Sequence, residues 1–139
     1  MKTSIAVLSL FMAVGHAVAW AEGLAITPGM WETTTTTENS VTGNRTDTRK
    51  DCVKESVLDP SSQMQGMPKD QCQVKTKVDG NTINYDMVCT PPQGVKMNFT
   101  GSVTVDGDRM QGSMQMEGAM AGQAMTMSMK STGKRLGDC

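Results

Sequence analysis

The second half of the chain alternates between apolar and polar residues with a period of two. In "CQVKTKVD" every second position holds Cys, Val or Thr, and in "TINYDMVC" the alternate positions hold Ile, Tyr, Met and Cys. Successive side chains of a strand point to opposite faces, so this period is typical of strands with one buried face. The pattern predicts an antiparallel sheet with one buried face and one solvent-exposed face.

Three similar stretches predict where this sheet turns. "VTGNR", "VDGNT" and "VDGDR" each place Gly directly before Asn or Asp. Two-residue hairpin turns favour this chemistry because glycine adopts a positive φ without strain. The predicted turns are Gly43-Asn44, Gly80-Asn81 and Gly107-Asp108.

The turns and the alternation together predict an all-β fold. The predicted strands cover residues 29–41, 45–54, 72–79, 82–89, 96–106, 109–117 and 123–133. The long segment between the second and third strands contains Pro and Ser and lacks a helical period, so it is predicted as a loop with one helical turn near Glu55. We expect an antiparallel meander of about seven strands, forming a curved sheet or a partial barrel.

The second hairpin also predicts a disulfide. A turn at Gly80-Asn81 places Cys72 opposite Cys89, and opposed residues have Cβ atoms about 4.5–5.5 Å apart, close enough to bridge with little adjustment. This pairing leaves Cys52 with Cys139, although four cysteines permit three pairings. A four-cysteine zinc site is the competing interpretation, but the chain has no close Cys-x-x-Cys pair.

The third hairpin and the segment after it bring methionines together. A turn at Gly107-Asp108 sets Phe99 against Met116. A looser turn through "EGAMAGQ" is then predicted to return the last strand. In that register Met116 opposes Met125, and Met114 opposes Met127.

The first residues are predicted to be an export signal. One lysine precedes an uncharged apolar run from Ile5 to Ala19, and small residues follow as a signal peptidase requires. Cleavage after Ala19 or after Ala21 fits, and the second is preferred, which gives a signal peptide at 1–21 and a single disulfide-stapled β domain at 22–139. The run is shorter than the ~20 residues that span a bilayer. We therefore expect a periplasmic protein of a Gram-negative bacterium, with no stable membrane insertion after cleavage.

Charge and histidine content narrow the function classes. The chain has 13 basic and 14 acidic residues and no basic cluster, so no nucleic-acid partner is expected. The one histidine, His16, lies in the predicted signal. The mature chain therefore lacks the commonest general base and proton shuttle. The expectation is a protein that is not an enzyme and needs no cofactor.

The methionine content allows two interpretations. Leu, Ile, Val and Phe supply only 15 of residues 22–139, and methionine supplies twelve. Because methionine is flexible and fills irregular space, the first interpretation is a methionine-packed core. The alternative is a Cu(I) or Ag(I) site, since thioether sulfur is a soft ligand. That site would use Met114, Met116, Met125 and Met127.

Few aromatic residues are available to bind a ligand. Trp31, Tyr85 and Phe99 are the aromatic side chains of the predicted mature domain. Trp31 is expected mainly as a core anchor. If it binds a ligand instead, it would line one mouth of the sheet beside an apolar cavity. Tyr85 and Phe99 are the other candidate ligand contacts.

The order of several landmarks resembles a known family. They are "PGMWETTT" from Pro28, "CV" at Cys52, a single Cys72 before "VDGN", "VC" at Cys89, "FTG" at Phe99 and the closing "GKRLGDC". Together they resemble the domain of unknown function 3617 family of small exported bacterial proteins. The resemblance implies a periplasmic, disulfide-stapled β domain and supplies no catalytic residue.

These observations lead to one functional expectation and one alternative. We expect a non-catalytic periplasmic protein that binds a small apolar ligand or an envelope partner. The alternative is a methionine-based Cu(I)/Ag(I) binding protein.

Overall fold

The computed structural model describes residues 23–59, 70–92 and 94–139, all in strands, turns and connecting segments. The predicted signal peptide lies outside the described residues. Among the described residues, no helix is long and apolar enough to span a bilayer. The strands are β1 (Leu24–Ala25), β2 (Gly29–Asn39), β3 (Gly43–Val53), β4 (Val57–Leu58), β5 (Cys72–Asp79), β6 (Thr82–Cys89), β7 (Met97–Asp106), β8 (Arg109–Met120) and β9 (Gln123–Gly137).

Seven of these strands form one antiparallel sheet in the order β3-β2-β9-β8-β7-β6-β5. Strands β5 to β9 follow each other as a meander, and the first hairpin joins them through the pairing of β2 with β9. The sheet is not closed into a barrel, so β3 and β5 are its edges. The predicted all-β, antiparallel fold class is confirmed.

A second, two-stranded sheet corrects the prediction of a helical turn near Glu55. Residues 57 and 58 form β4 and pair with β1, Leu24 opposite Leu58. The Ile26 N–H donates to the Ser56 carbonyl at 3.0 Å and extends this pairing. The segment forms an extended strand instead of a helical turn because the extended backbone packs Leu58 against the cluster that contains the buried Leu24.

Two of the three predicted hairpin turns are confirmed. Asp79 pairs with Thr82 and Asp106 with Arg109. The glycines that begin these two turns have φ values of 59° and 58°, as a turn with glycine at its first central position requires.

The first hairpin turn differs from its prediction. Asn39 pairs with Gly43, so residues 40–42 form a three-residue turn instead of the predicted Gly43-Asn44 turn. The side-chain oxygen of Asn39 accepts from the N–H groups of Val41 and Thr42 at 2.8 and 3.0 Å. This local cap stabilises the earlier turn, since an Asn side chain readily bonds the backbone two residues on. Gly43 follows with a φ of 87°.

Both predicted disulfides are confirmed. Cys72 lies directly opposite Cys89 in the β5–β6 pair, in the predicted register, and the two sulfurs are bonded. Cys52, near the end of β3, is bonded to Cys139 at the chain terminus. The pairing of β2 with β9 brings these distant residues together, because β3 and the end of β9 both flank β2.

The buried apolar residues lie on one face of the sheet, called here the inner face, and form two clusters. The first cluster contains Leu24, Ile26, Trp31, Ile83 and Val105. The second cluster contains Met87, Cys89, Phe99, Met116 and Met125. The first lies under the small β1–β4 sheet, and the second spans β6 to β9. Methionine thus supplies three of the five buried residues of the second cluster, as the core interpretation expects.

A methionine patch as the candidate functional site

Four methionines of the last hairpin form two directly opposed pairs on the inner face. Met114 pairs with Met129, and Met116 pairs with Met127, across β8 and β9. We call these four residues the methionine patch. Opposed residues on one face of an antiparallel pair have Cβ atoms about 4.5–5.5 Å apart, so the four thioether side chains are neighbours.

This register corrects the predicted one by two residues. The sequence predicted Met116 opposite Met125, but Met125 pairs with Gly118. The reason is a tighter turn: β8 runs to Met120, and Ala121 and Gly122 make the turn with φ values of 50° and 80°. Two positive φ values in succession are typical of a type I′ turn, whose twist matches that of the flanking strands.

The four methionines predicted as the alternative metal site lie in one cluster. Met116 and Met125 are buried, and Met114 and Met127 are partly buried against them. Their neighbours include Phe99 and the Cys72–Cys89 disulfide. Two of the four candidate side chains are therefore core residues, and the other two lie at the margin of that core together with the partly buried Met129.

The three candidate aromatic residues do not line one site. Trp31 belongs to the first cluster, is 1% exposed and donates its indole N–H to the Thr27 carbonyl at 3.0 Å. Phe99 belongs to the second cluster. Tyr85 lies between the clusters and is partly buried. Of the three, only Tyr85 keeps substantial contact with solvent.

Gly101 makes room for the ring of Tyr85. The two residues are directly opposed in the β6–β7 pair, and a Cβ added at Gly101 would overlap the Tyr85 hydroxyl oxygen. Gly101 in turn pairs with Met114 of the patch. The tyrosine ring therefore lies over Gly101, in the row of paired residues that also contains Met114 of the patch.

Partial burial changes the acidity of this phenol. Desolvation raises the pKa of Tyr85 above its usual value of about 10, because burial disfavours the charged phenolate. The stabilisation from this neutral phenol is fully present below the unfolded pKa of about 10 and is lost as pH rises through the higher folded pKa.

An alkaline titration tests this environment. Tyr85 is the one tyrosine of the chain, so the ultraviolet absorbance of tyrosinate reports this residue alone. We expect a midpoint above pH 10 in the folded protein and about 10 after reduction and denaturation. A folded midpoint at or below 10 would contradict the burial of the ring.

Two surface concavities lie on the outer face of the sheet, opposite the thioethers of the patch. The larger, about 420 Å³, is lined by outer-face side chains such as those of Glu38, Gln115 and Glu117, which alternate with Met116 and Met127 along the strands. The smaller, about 150 Å³, lies beside Met114 and Met129 and is lined by outer-face side chains of β7 to β9. Because successive side chains of a strand point to opposite faces, the thioethers of the patch point away from both concavities.

The sequence reasoning missed the polar lining of these concavities. Gln115, Glu117, Thr126 and Ser128 meet within the hairpin of β8 and β9, and Glu38 joins them because β2 pairs with β9. The period-two alternation of the last two strands could have indicated that their polar positions share one face, but no local signal indicates the β2 neighbour.

Comparison with known proteins places the chain in a family. Residues 26–139 match the family model described as protein of unknown function, DUF3617. The chain belongs to this family. The match covers the second cluster, the first cluster apart from Leu24, both disulfides and the methionine patch, so the predicted resemblance to the DUF3617 family is confirmed. No curated protein and no solved structure matches the chain significantly.

Proposed function

We propose that this protein is a non-catalytic periplasmic binding protein that holds a small apolar ligand against the methionine patch. The observation that carries the proposal is the position of the patch on the inner face. Met116 is buried in the second cluster, Met114 and Met127 are partly buried against that cluster, and the partly buried Met129 lies opposite Met114. The three partly buried thioethers therefore extend the apolar surface of the cluster to the solvent. The predicted export signal at residues 1–21 supports a periplasmic location.

The chemistry of methionine suits such a site. A thioether side chain is unbranched and polarizable, so a surface made of several methionines can adapt to ligands of different shape. Promiscuous binding proteins use flexible methionine-rich surfaces for this reason.

Paired substitutions in the patch test this proposal. Binding of a fluorescent apolar probe, N-phenyl-1-naphthylamine, is measured for the mature protein and two variants. Met114→Leu with Met129→Leu keeps the patch apolar, and we expect a Kd close to that of the parent. Met114→Gln with Met129→Gln keeps the size but adds amides whose desolvation costs about 1–3 kcal/mol each. We expect about tenfold weaker binding or more, since 1.4 kcal/mol is a factor of ten.

Folding and binding are separated by measuring the unfolding midpoint of each variant. The proposal is contradicted if the parent does not bind the probe, or if the glutamine variant, still folded, binds as well as the leucine variant.

A Cu(I) or Ag(I) site is the second candidate, and the two opposed thioether pairs favour it. Met114 with Met129 and Met116 with Met127 place soft ligands on neighbouring positions of one face. The leucine variant separates the two candidates, because leucine keeps the apolar surface but removes two sulfurs. A Cu(I) role predicts that the leucine variant loses Cu(I) in native mass spectrometry, whereas apolar binding predicts that it keeps the probe.

A further inference from the structure

From the centre of the sheet to the β3 edge, the inner face has three zones of different side-chain chemistry. β8 and β9 present the thioethers of the patch, β2 presents the hydroxyl groups of Thr33, Thr35 and Thr37, and β3 presents charged side chains. The strand register aligns residues of these zones in rows across the sheet. Met129 pairs with Thr37, which pairs with Arg45.

The next row repeats the same order without the methionine. Ser131 pairs with Thr35, and Thr35 pairs with Asp47. The Thr35 and Ser131 hydroxyl oxygens are 2.9 Å apart and share a hydrogen bond. The β2 strand is therefore a hydroxyl zone that separates the apolar zone from the charged edge.

The charged edge presents both signs side by side. Arg45 pairs with Asp47 at 2.5 Å, and Arg49 pairs with Asp51 at 3.0 Å, all on the inner face. Their side chains are 55–78% exposed. Exposed pairs of this kind contribute little to stability, so they remain able to exchange partners. An arginine binds a phosphate through two parallel N–H groups, and an aspartate accepts hydrogen bonds from an ammonium group.

We infer that the ligand of the methionine patch is a zwitterionic phospholipid, a lipid whose headgroup contains a phosphate and an amine. This inference rests on the proposed function and names its ligand class. The acyl chain lies on the methionines, the ester oxygens accept from the threonine hydroxyls, and the headgroup lies between Arg45 and Asp47. From β8 to β3 there are three strand spacings, about 14 Å, which part of one acyl chain and the glycerol can span.

The test removes one of the two charge pairs of the edge without changing the net charge. Isothermal titration calorimetry measures binding of dihexanoyl-phosphatidylethanolamine and of dihexanoylglycerol, which has the same acyl chains and no headgroup. We expect Arg45→Gln with Asp47→Asn to weaken phosphatidylethanolamine binding about threefold to tenfold, the effect of one or two exposed charge contacts, and to leave dihexanoylglycerol binding unchanged.

A matched control lies on the opposite face of the sheet, between β2 and β3. Lys50 and Glu32 form an exposed ion pair of 3.5 Å there and are directly opposed. Lys50→Gln with Glu32→Gln also removes one charge of each sign. We expect this variant to bind both lipids like the parent.

The outcomes separate the inference from the function on which it rests. If the parent binds both lipids equally and the β3 variant behaves like the control, the inference is overturned, the charged edge serves only to block strand addition, and the apolar site stands. If the parent binds neither lipid nor the naphthylamine probe, the proposed function fails and the inference fails with it.

Discussion

Replacing Cys52 and Cys139 by alanine is expected to lower the free energy of unfolding by about 4–5 kcal/mol. The bond joins residues 87 positions apart, and closing so long a loop removes much of the conformational entropy of the unfolded chain. Both residues are exposed, so the substitution removes little packing. A domain of this size is stable by only about 5–15 kcal/mol, and the loss would therefore be a large share of the total.

Denaturant unfolding of the oxidised protein measures this loss. The internal comparison is the Cys72→Ala, Cys89→Ala variant, whose loop of 17 positions predicts a loop-closure contribution of about 3 kcal/mol. Cys89 is also buried, so some lost packing adds to that value. A loss below about 1 kcal/mol for the long-range pair would contradict the account of this bond.

Replacing Trp31 by alanine is expected to cost about 3–5 kcal/mol. The ring is 1% exposed in the first cluster and connects the main sheet to the β1–β4 sheet, because Leu24 and Leu58 belong to the same cluster. Removing it leaves a cavity beneath the small sheet. Its indole N–H also donates to Thr27, so the segment between β1 and β2 would lose an anchor.

Trp31→Phe is the matched variant for this site. It keeps most of the apolar volume and removes the hydrogen bond, which has a net value of about 0.5–1.5 kcal/mol. Circular dichroism is the suitable probe, since the substitution removes the tryptophan fluorescence of the domain. Equal losses for the two variants would show that the hydrogen bond, and not ring burial, stabilises this end of the sheet.

The parts of the fold that depend on local chemistry could be predicted from the sequence. The Gly80-Asn81 turn fixes which residues of β5 and β6 are opposed, and the match of Cys72 with Cys89 selects this turn over its neighbours. The same reasoning predicted the register of β7 with β8. In both hairpins the turn and the strands are adjacent in sequence, so one short segment contains all the residues that determine the strand register.

The methionine register shows where the alternation stops being informative. A slip of one residue moves every side chain to the other face, but a slip of two keeps each on its own face. Met125 and Met127 are therefore equivalent partners for Met116 as far as alternation is concerned. The Ala121-Gly122 turn decides between them, and Ala is an uncommon residue at a positive φ.

Long-range pairings had almost no local signal. The pairing of β2 with β9 joins strands that are far apart in the sequence, and neither strand contains a pattern that identifies its partner. The bond between Cys52 and Cys139 was the one indication, since it ties the first hairpin to the terminus. The β1–β4 pairing involves only two residues in each strand, too few to produce a period.

The most direct test of the central claim is a methyl NMR titration of the mature protein, labelled with ¹³C at the methionine methyl groups, with N-phenyl-1-naphthylamine. Binding at the methionine patch predicts that the methyl resonances of Met114, Met127 and Met129 shift, while that of Met30, on the opposite face, stays in place. No shift in the patch, or shifts confined to Met30, would contradict the account.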